Sequence, residues 1–314
     1  MALRLALMTT GLRPAARAFA TLPGRPVGII RWDGAEAIAS RDGWREHPLS
    51  RFAIARLRGR PYASLAHLAA SDALRYAEIA KQDATTLCET LARWRIDLVI
   101  TSGCPMVPMA CLASVRHGGI NLHPSALPRY RGADPLLWQV ADGVREIGVT
   151  VHRLTAGSDT GAIIASRSTA RPPRASRAML ADTLEGTLGV PMLARAITDI
   201  ERGITRATEQ PETSPTRYAR ALRLNEIADV LPLAGLDMGR CRDLVHLLGE
   251  CPPGWLELAG WRRRVPWKPG RFTDDAQGRA ADDGHWRCVR GPFAMGLRRA
   301  GQTLWFEPVL QRFR

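Results

Sequence analysis

Three polar side chains near the middle of the chain have the types that acyl transfer by general acid–base chemistry requires. Asn121 and His123 stand two residues apart in Gly119-Ile-Asn-Leu-His123, the end of a short apolar run. If that run is extended, an amide and an imidazole leave the same face of one strand. Asp159 lies in the turn Gly157-Ser-Asp-Thr-Gly161, farther along the chain. An amide can donate to a developing oxyanion, an imidazole can stabilise it and move protons, and a carboxylate can orient that imidazole or favour its charged form. Each piece alone is weak: a lone strand-end His is more often structural, and Asp-Thr-Gly is usually just a turn. An aspartic-protease reading needs a second copy, which the chain lacks.

These residues need a scaffold, and the first 200 residues supply its pattern. Short apolar runs alternate with helix-period stretches, which predicts helices on both sides of a mainly parallel sheet. Strands are predicted at 3–8, 27–31, about 73–77, 97–102, 117–123 and 147–154. Asp83 can cap a helix with Leu87, Leu91 and Trp94 on one face, and Ser176 can cap another that runs to about Arg202 with a break at Gly189-Val-Pro191. Pro124, Pro128 and Gly132 interrupt regular structure after His123, leaving a loop with Ser125, Arg129, Tyr130 and Arg131 over the sheet edge. No Gly-x-Gly-x-x-Gly follows the first strand, so a tightly held dinucleotide is not indicated. Ligands still collect beyond the carboxyl ends of parallel strands, where the strand at 97–102 opens into Ser102-Gly-Cys-Pro-Met-Val-Pro108.

The pattern changes past residue 207. Thr208 to Pro215 reads as a linker by composition, and short strand-like segments around Trp255, Arg264 to Trp267, Trp286 and Thr303 follow a helix from about Gly239 to Leu248. The expected organisation is a catalytic domain over 1–207, a linker over 208–216 and a smaller β-rich domain over 217–314.

With 314 residues and 46% apolar composition there is ample material for two cores. No apolar run approaches the roughly 20 residues of a membrane span. Six cysteines are scattered without a Cys-x-x-Cys pair, so they read as reduced thiols, no metal is expected, and the expected compartment is the cytoplasm. The arginine-bearing start, which has no acid before Asp33, could pass for a transit peptide, but a strand at 3–8 and a helix at 13–22 explain it better. The net charge of +14 invites a polyanion reading. Of the 44 basic residues, only Lys81 and Lys268 are lysines, a skew that looks like nucleotide composition rather than a selected surface. The densest clusters are Arg51, Arg56, Arg58 and Arg60, and Arg262 to Arg264; each is more simply a solvated face than a groove for a nucleic-acid backbone.

Taken together, Asn121-x-His123-Pro-Ser, Leu127-Pro-Arg-Tyr-Arg-Gly132, Gly148-Val-Thr-Val-His152 and Asp159-Thr-Gly161 resemble the formyltransferases that use 10-formyltetrahydrofolate. Tyr218-Ala-Arg, Cys241-Arg-Asp-Leu-Val and Pro252-Pro-Gly-Trp-Leu-Glu-Leu are similar to the opening of the C-terminal domain in methionyl-tRNA and sugar-amine formyltransferases. The resemblance implies an α/β enzyme with an open, mainly parallel Rossmann-like sheet, and 10-formyltetrahydrofolate as co-substrate without a metal. It implies Asn121, His123 and Asp159 as the catalytic set. It also implies a pterin cleft with Cys104, Met106, Val107, Leu154 and Ser158 along it, and an acceptor held over Ser125, Arg129, Tyr130 and Arg131.

The resemblance also implies a primary amine as the acceptor. Pro124 and the run Ala133-Asp-Pro-Leu-Leu-Trp138 look closer to enzymes that modify amino sugars, amino acids or peptide precursors, and 33–60 is not a simple Lys-rich loop for an acceptor stem. A small or carrier-bound amine is therefore favoured, with charged initiator tRNA as the alternative. A hydrolase passing the formyl group to water lacks room for its usual extra domain. A non-catalytic RNA-binding relative is the rival of another class. The catalytic reading requires the His123 imidazole to be reachable and to stand within about a water's width of the Asp159 carboxylate.

Overall fold

Seven strands form one sheet in the order β3-β2-β1-β4-β5-β6-β7: β1 Arg4–Thr9, β2 Arg25–Asp33, β3 Arg75–Ala80, β4 Leu98–Ser102, β5 Gly119–His123, β6 Glu146–Arg153 and β7 Ile163–Ala170. The computed structural model describes residues 2–33, 62, 64–204, 206–223, 226–232, 235–249, 255, 267–274, 287–290, 295–299 and 302–308. The pairs β1/β2, β2/β3, β1/β4 and β4/β5 are parallel, while β5/β6 is antiparallel. The sheet is thus the mainly parallel α/β sheet expected, with its direction reversed beside β5. The seventh strand was not anticipated: Ile163–Ala170 is half exposed and carries no strong alternation.

The local reasons are visible residue by residue. Asp83 accepts from the Thr86 N–H at 3.0 Å and starts the helix Ala84–Arg93, a cap worth about 1 kcal/mol. Leu87 and Leu91 on that helix, with Trp94 at its C-cap, pack with Met8, Ile30, Trp32 and Val99 under the sheet. Each such buried side chain contributes roughly 1.5–3 kcal/mol. Ser176 likewise accepts from Met179 N–H, and the helical run that follows is α over Arg177–Ala181, π over Asp182–Gly189 and α over Val190–Glu201. Gly189 stands where this run meets the sheet: a Cβ there would lie 2.8 Å from Leu122 Cδ1.

Contacts gather the chain into two units, one of residues 1–135, 146–169 and 181–220, the other of 136–145, 170–180 and 221–314. The segment 208–220 packs within the first, where Thr208 bridges Ile163 and Ala219 exchanges bonds with the loop before the helix Pro135–Ala141. The second contains the helix Met238–Leu248 and an antiparallel sheet ordered β8-β11-β10-β9: β8 Trp267–Asp274, β9 Arg287–Arg290, β10 Met295–Arg299 and β11 Gln302–Pro308. Trp255, expected in a strand, is helical and buried, with its Nε1 donating to the Leu231 carbonyl at 3.0 Å.

The expectation of reduced thiols throughout is corrected: Cys88 and Cys111 form a disulfide, with Cα atoms 4.6 Å apart. The helices Ala84–Arg93 and Met109–Ala113 pack together, and that tertiary neighbourhood leaves no mark in the cysteine spacing. Cys104 and Cys241 are free thiols. Among the described residues no helix is long and apolar enough to cross a membrane. Both arginine clusters lie outside the described residues.

Candidate functional site

The register of three neighbouring strands builds the site. Thr101 of β4 faces Asn121 of β5, and Asn121 faces His152 of β6. The Thr101 hydroxyl donates to Asn121 Oδ1 at 2.8 Å, which fixes the amide so that Nδ2 points to His152 and Asp159. Asn121 Nδ2 lies 3.1 Å from His152 Nε2 and 3.2 Å from Asp159 Oδ1. His152 Nδ1 stands 2.9 Å from the Arg153 carbonyl, to which its N–H donates. Its Nε2 faces both the Asn121 amide and Asp159 Oδ1.

His123, two residues along β5, turns the same way. Its Nε2 stands 3.0 Å from the Tyr130 carbonyl and its Nδ1 3.5 Å from Asp159 Oδ1. The ring is 5% exposed. Burial pushes its pKa down, while Asp159 and the Tyr130 carbonyl pull it up and His152 opposes them; the balance is downward. The Asp159 requirement is met, but the reachability requirement is not, because Tyr130 and the loop behind it close over the imidazole. Thr150 pins that loop: it accepts from Leu127 N–H at 3.1 Å and donates to the Ser125 carbonyl at 2.7 Å.

Asp159 is held from every side. Its Oδ1 meets both histidines, at 3.5 Å and 3.4 Å, and its Oδ2 accepts the Gly132 N–H at 2.9 Å. Burial would raise the carboxyl, but His123, His152 and the Gly132 N–H outweigh it and hold Asp159 well below the usual carboxylate range. Its backbone has φ 54°, a left-handed conformation that Asp tolerates. Gln210 Nε2 fixes that turn by donating to the carbonyls of Asp159 at 3.0 Å and Gly161 at 2.6 Å.

The expected acceptor loop divides in two. Arg129 is exposed, whereas Ser125 is fully buried and donates to the Arg129 carbonyl at 2.6 Å. Arg131 is 6% exposed and donates to Gln210 Oε1, Pro211 O and Glu212 O at 2.7–3.2 Å. Tyr130 is buried, with its N–H on Thr216 Oγ1. Along the expected pterin cleft, Met106 is 59% exposed, Val107 is buried, and Cys104 and Leu154 are half-buried against the core below the sheet. Ser158 is half-buried, 3.1 Å from the Tyr218 hydroxyl.

Reading the sequence missed Thr101, His152 and Glu185 as neighbours of the site. Glu185 lies fully buried on the π-helical turn, bonded to Arg13 and to Ser102 Oγ at 2.9 Å. The His152 signal was present in Gly148-Val-Thr-Val-His152; only the antiparallel register brings it against Asn121.

Residues 55–185 match the family model described as formyl transferase. The methionyl-tRNA formyltransferase of Nitrobacter winogradskyi is 32% identical over 212 residues, 63% of this chain and 64% of that protein. The methionyl-tRNA formyltransferase of Burkholderia mallei is 38% identical over 124 residues, 39% of this chain and 37% of that one. The chain thus spans less than two thirds of the length of these curated relatives. Among solved structures, the N-formyltransferase from Helicobacter canadensis, in complex with folinic acid and dTDP-3-aminofucose, superposes with TM-score 0.59 at 14% identity over 98% of this chain and 99% of that one. Glycinamide ribonucleotide transformylase 1 from Symbiobacterium toebii superposes with TM-score 0.52 at 19% identity, covering 67% of this chain and 95% of that one. At such identities the two structures speak for the fold.

Proposed function

From a chain whose residues 55–185 belong to the formyl transferase family, we propose an N-formyltransferase that moves the formyl group of 10-formyltetrahydrofolate to the primary amine of a small or carrier-bound acceptor. The observation that carries this reading is the convergence of Asn121 and His123, neighbours on one strand face, on a carboxylate oxygen of Asp159, which is distant from both in sequence. The acceptor amine attacks the formyl carbon, an oxyanion forms, and the folate nitrogen leaves after taking a proton. Asn121 supplies an oxyanion donor by giving up one of its bonds to His152 or Asp159. Asp159 receives the proton of the incoming amine. His123, behind that carboxylate, shares its charge, and contact of the ring with substrate requires the Tyr130 carbonyl to withdraw. The half-buried edge at Cys104, Leu154 and Ser158, with exposed Met106, is our candidate for the pterin.

Two observations favour a small acceptor over tRNA. Arg131 is buried on residues 210–212, so of the two loop arginines only Arg129 faces solvent, too little to follow a phosphate backbone. Pro124 and the 133–138 run also look closer to small-molecule enzymes. The second reading, methionyl-tRNA formylation, is favoured by the 32% identity to the Nitrobacter enzyme. The test is a formylation assay with 10-formyltetrahydrofolate against a panel of amino sugars, nucleotide-linked amino sugars and amino acids, and against charged initiator tRNA. Formyl product on a small amine supports the first reading, efficient turnover of tRNA replaces it with the second, and steeply salt-dependent RNA binding without formylation overturns both.

A further inference from the structure

An acceptor amine that enters as its ammonium form makes the reaction release a proton. The bond from the formyl carbon to the folate nitrogen breaks and a bond to the acceptor nitrogen forms. Of the two protons the acceptor sheds, one goes to the folate nitrogen and the other must reach solvent. The groups that would receive it are closed in: His123 is 5% exposed, and the Asp159 side chain is 14% exposed.

Among the described residues a line of hydroxyls leads out. Ser158 Oγ lies 3.4 Å from Asp159 Oδ2, the carboxylate oxygen turned away from both histidines, and 3.1 Å from the Tyr218 hydroxyl. Tyr218 is 56% exposed. Its place is set by backbone: Ala219 N–H donates to the Arg131 carbonyl at 2.7 Å, and Asp134 N–H to the Ala219 carbonyl at 2.8 Å. Gly132 makes room, since a Cβ there would stand 3.0 Å from the Tyr218 ring. A hydroxyl both donates and accepts, so each can take a proton on one side and yield another on the opposite side.

We propose that Ser158 and Tyr218 form the route by which a proton passes from Asp159 to solvent. This rests on the formyl-transfer reading for its purpose but not for its geometry. The proton on protonated Asp159 moves to Ser158 Oγ as Ser158 yields its own to Tyr218, which yields one to water; no electron pair leaves the chain of oxygens. Neither residue touches the reacting carbon, so both are positioning residues for the proton.

The experiment measures exchange with solvent of the His123 Nδ1–H, the ring proton that faces Asp159 once acid has charged the imidazole, in protein labelled with 15N-histidine, for the wild type, Ser158→Ala, Ser158→Thr and Tyr218→Phe, alongside kcat and KM for formylation. Exchange slower by about tenfold or more in Ser158→Ala and Tyr218→Phe, restored in Ser158→Thr, is the expected result. Both variants lose kcat; Tyr218→Phe, which lies off the candidate pterin edge, does so with KM nearly unchanged, and small imidazole buffers recover part of the loss. Unchanged exchange in both hydroxyl-deleted variants overturns the route, whatever the formylation assay gives. Slowed exchange with no formyl transfer to any amine leaves the route standing and removes the proposed function instead.

Discussion

The rings of His123 and His152 stand nearly edge to face, with centroids 6.2 Å apart and planes at 80°, and Asp159 Oδ1 lies 3.5 Å from one and 3.4 Å from the other. One carboxylate oxygen thus answers to two imidazoles and an amide, so its charge organises the cluster.

Removing that charge is the most direct perturbation. Asp159→Asn keeps one oxygen, for either the Asn121 amide or the Gly132 N–H, sets its own NH2 against the other donor, and cannot hold a proton from the amine. The expected loss in kcat is about 10²–10⁴-fold, with the KM for folate within a few-fold. Steady-state kinetics check it, and a loss confined to KM would reassign Asp159 to binding.

The pKa shifts give stability a pH dependence of definite sign. The His123 pKa is lowered by burial, so its folded state resists protonation: stability is full above the unfolded value of about 6.5 and declines as pH falls from there through the folded value. His246 is lowered by burial too and acts in the same direction. Asp159 is depressed, so its contribution survives to strong acid and is lost only below about pH 4. In urea melts, His123→Gln should lose less stability than the wild type between about pH 7 and pH 5.5, with the His246 share unchanged in both. An identical loss in the two proteins would refute the assignment.

Arg13 and Glu185 should respond unequally. Glu185 is fully buried, and Arg13 is its cationic partner at the ends of β1 and β4. Arg13→Ala leaves a buried carboxylate with only Ser102 Oγ, at a cost of about 3–5 kcal/mol. Glu185→Gln keeps a polar partner for Ser102 and frees a guanidinium that is about one third exposed, so its cost is smaller, roughly 1–2 kcal/mol. Urea denaturation of the two variants gives the order directly.

Gly132 combines a backbone φ of 126°, a site 2.7 Å from the Ala219 carbonyl and an N–H on Asp159. Gly132→Ala should destabilise by about 1–3 kcal/mol and lower kcat together, because the same shift loosens the carboxylate. A melt and a rate measured on one preparation test whether the two move as a pair.

Much of this site could be read from residue order. Asn121 and His123 share a strand face because β-strands alternate, and the cap at Asp83 and the apolar face at Leu87 and Leu91 are local facts that structure repeats. What escaped was tertiary. Whether β6 runs with or against β5 decides whether His152 meets Asn121, and nothing in Glu146–Arg153 states its direction. Arg131 reads as a surface cation until the 210–212 segment lies across it, and Cys88 and Cys111 read as separate thiols until two helices pack. Buried Glu185 sits on a turn whose helical pitch changes, a property of the fold and not of its residue pattern.

The strip from Thr208 to Ala219 threads back across the half of the protein that precedes it, bridging Ile163, gripping Gln210 against the Asp159 turn and lying along Arg131. Scissors applied at residue 207 would leave every atom of the amide, imidazoles and carboxylate in the fragment, yet remove the staple on the Asp159 turn and the exposed phenol beside it. A minimal fragment meant to keep the cluster intact has to be cut downstream of Arg220, and a protease that nicks this strip would loosen the Asp159 turn without touching the amide, the imidazoles or the carboxylate.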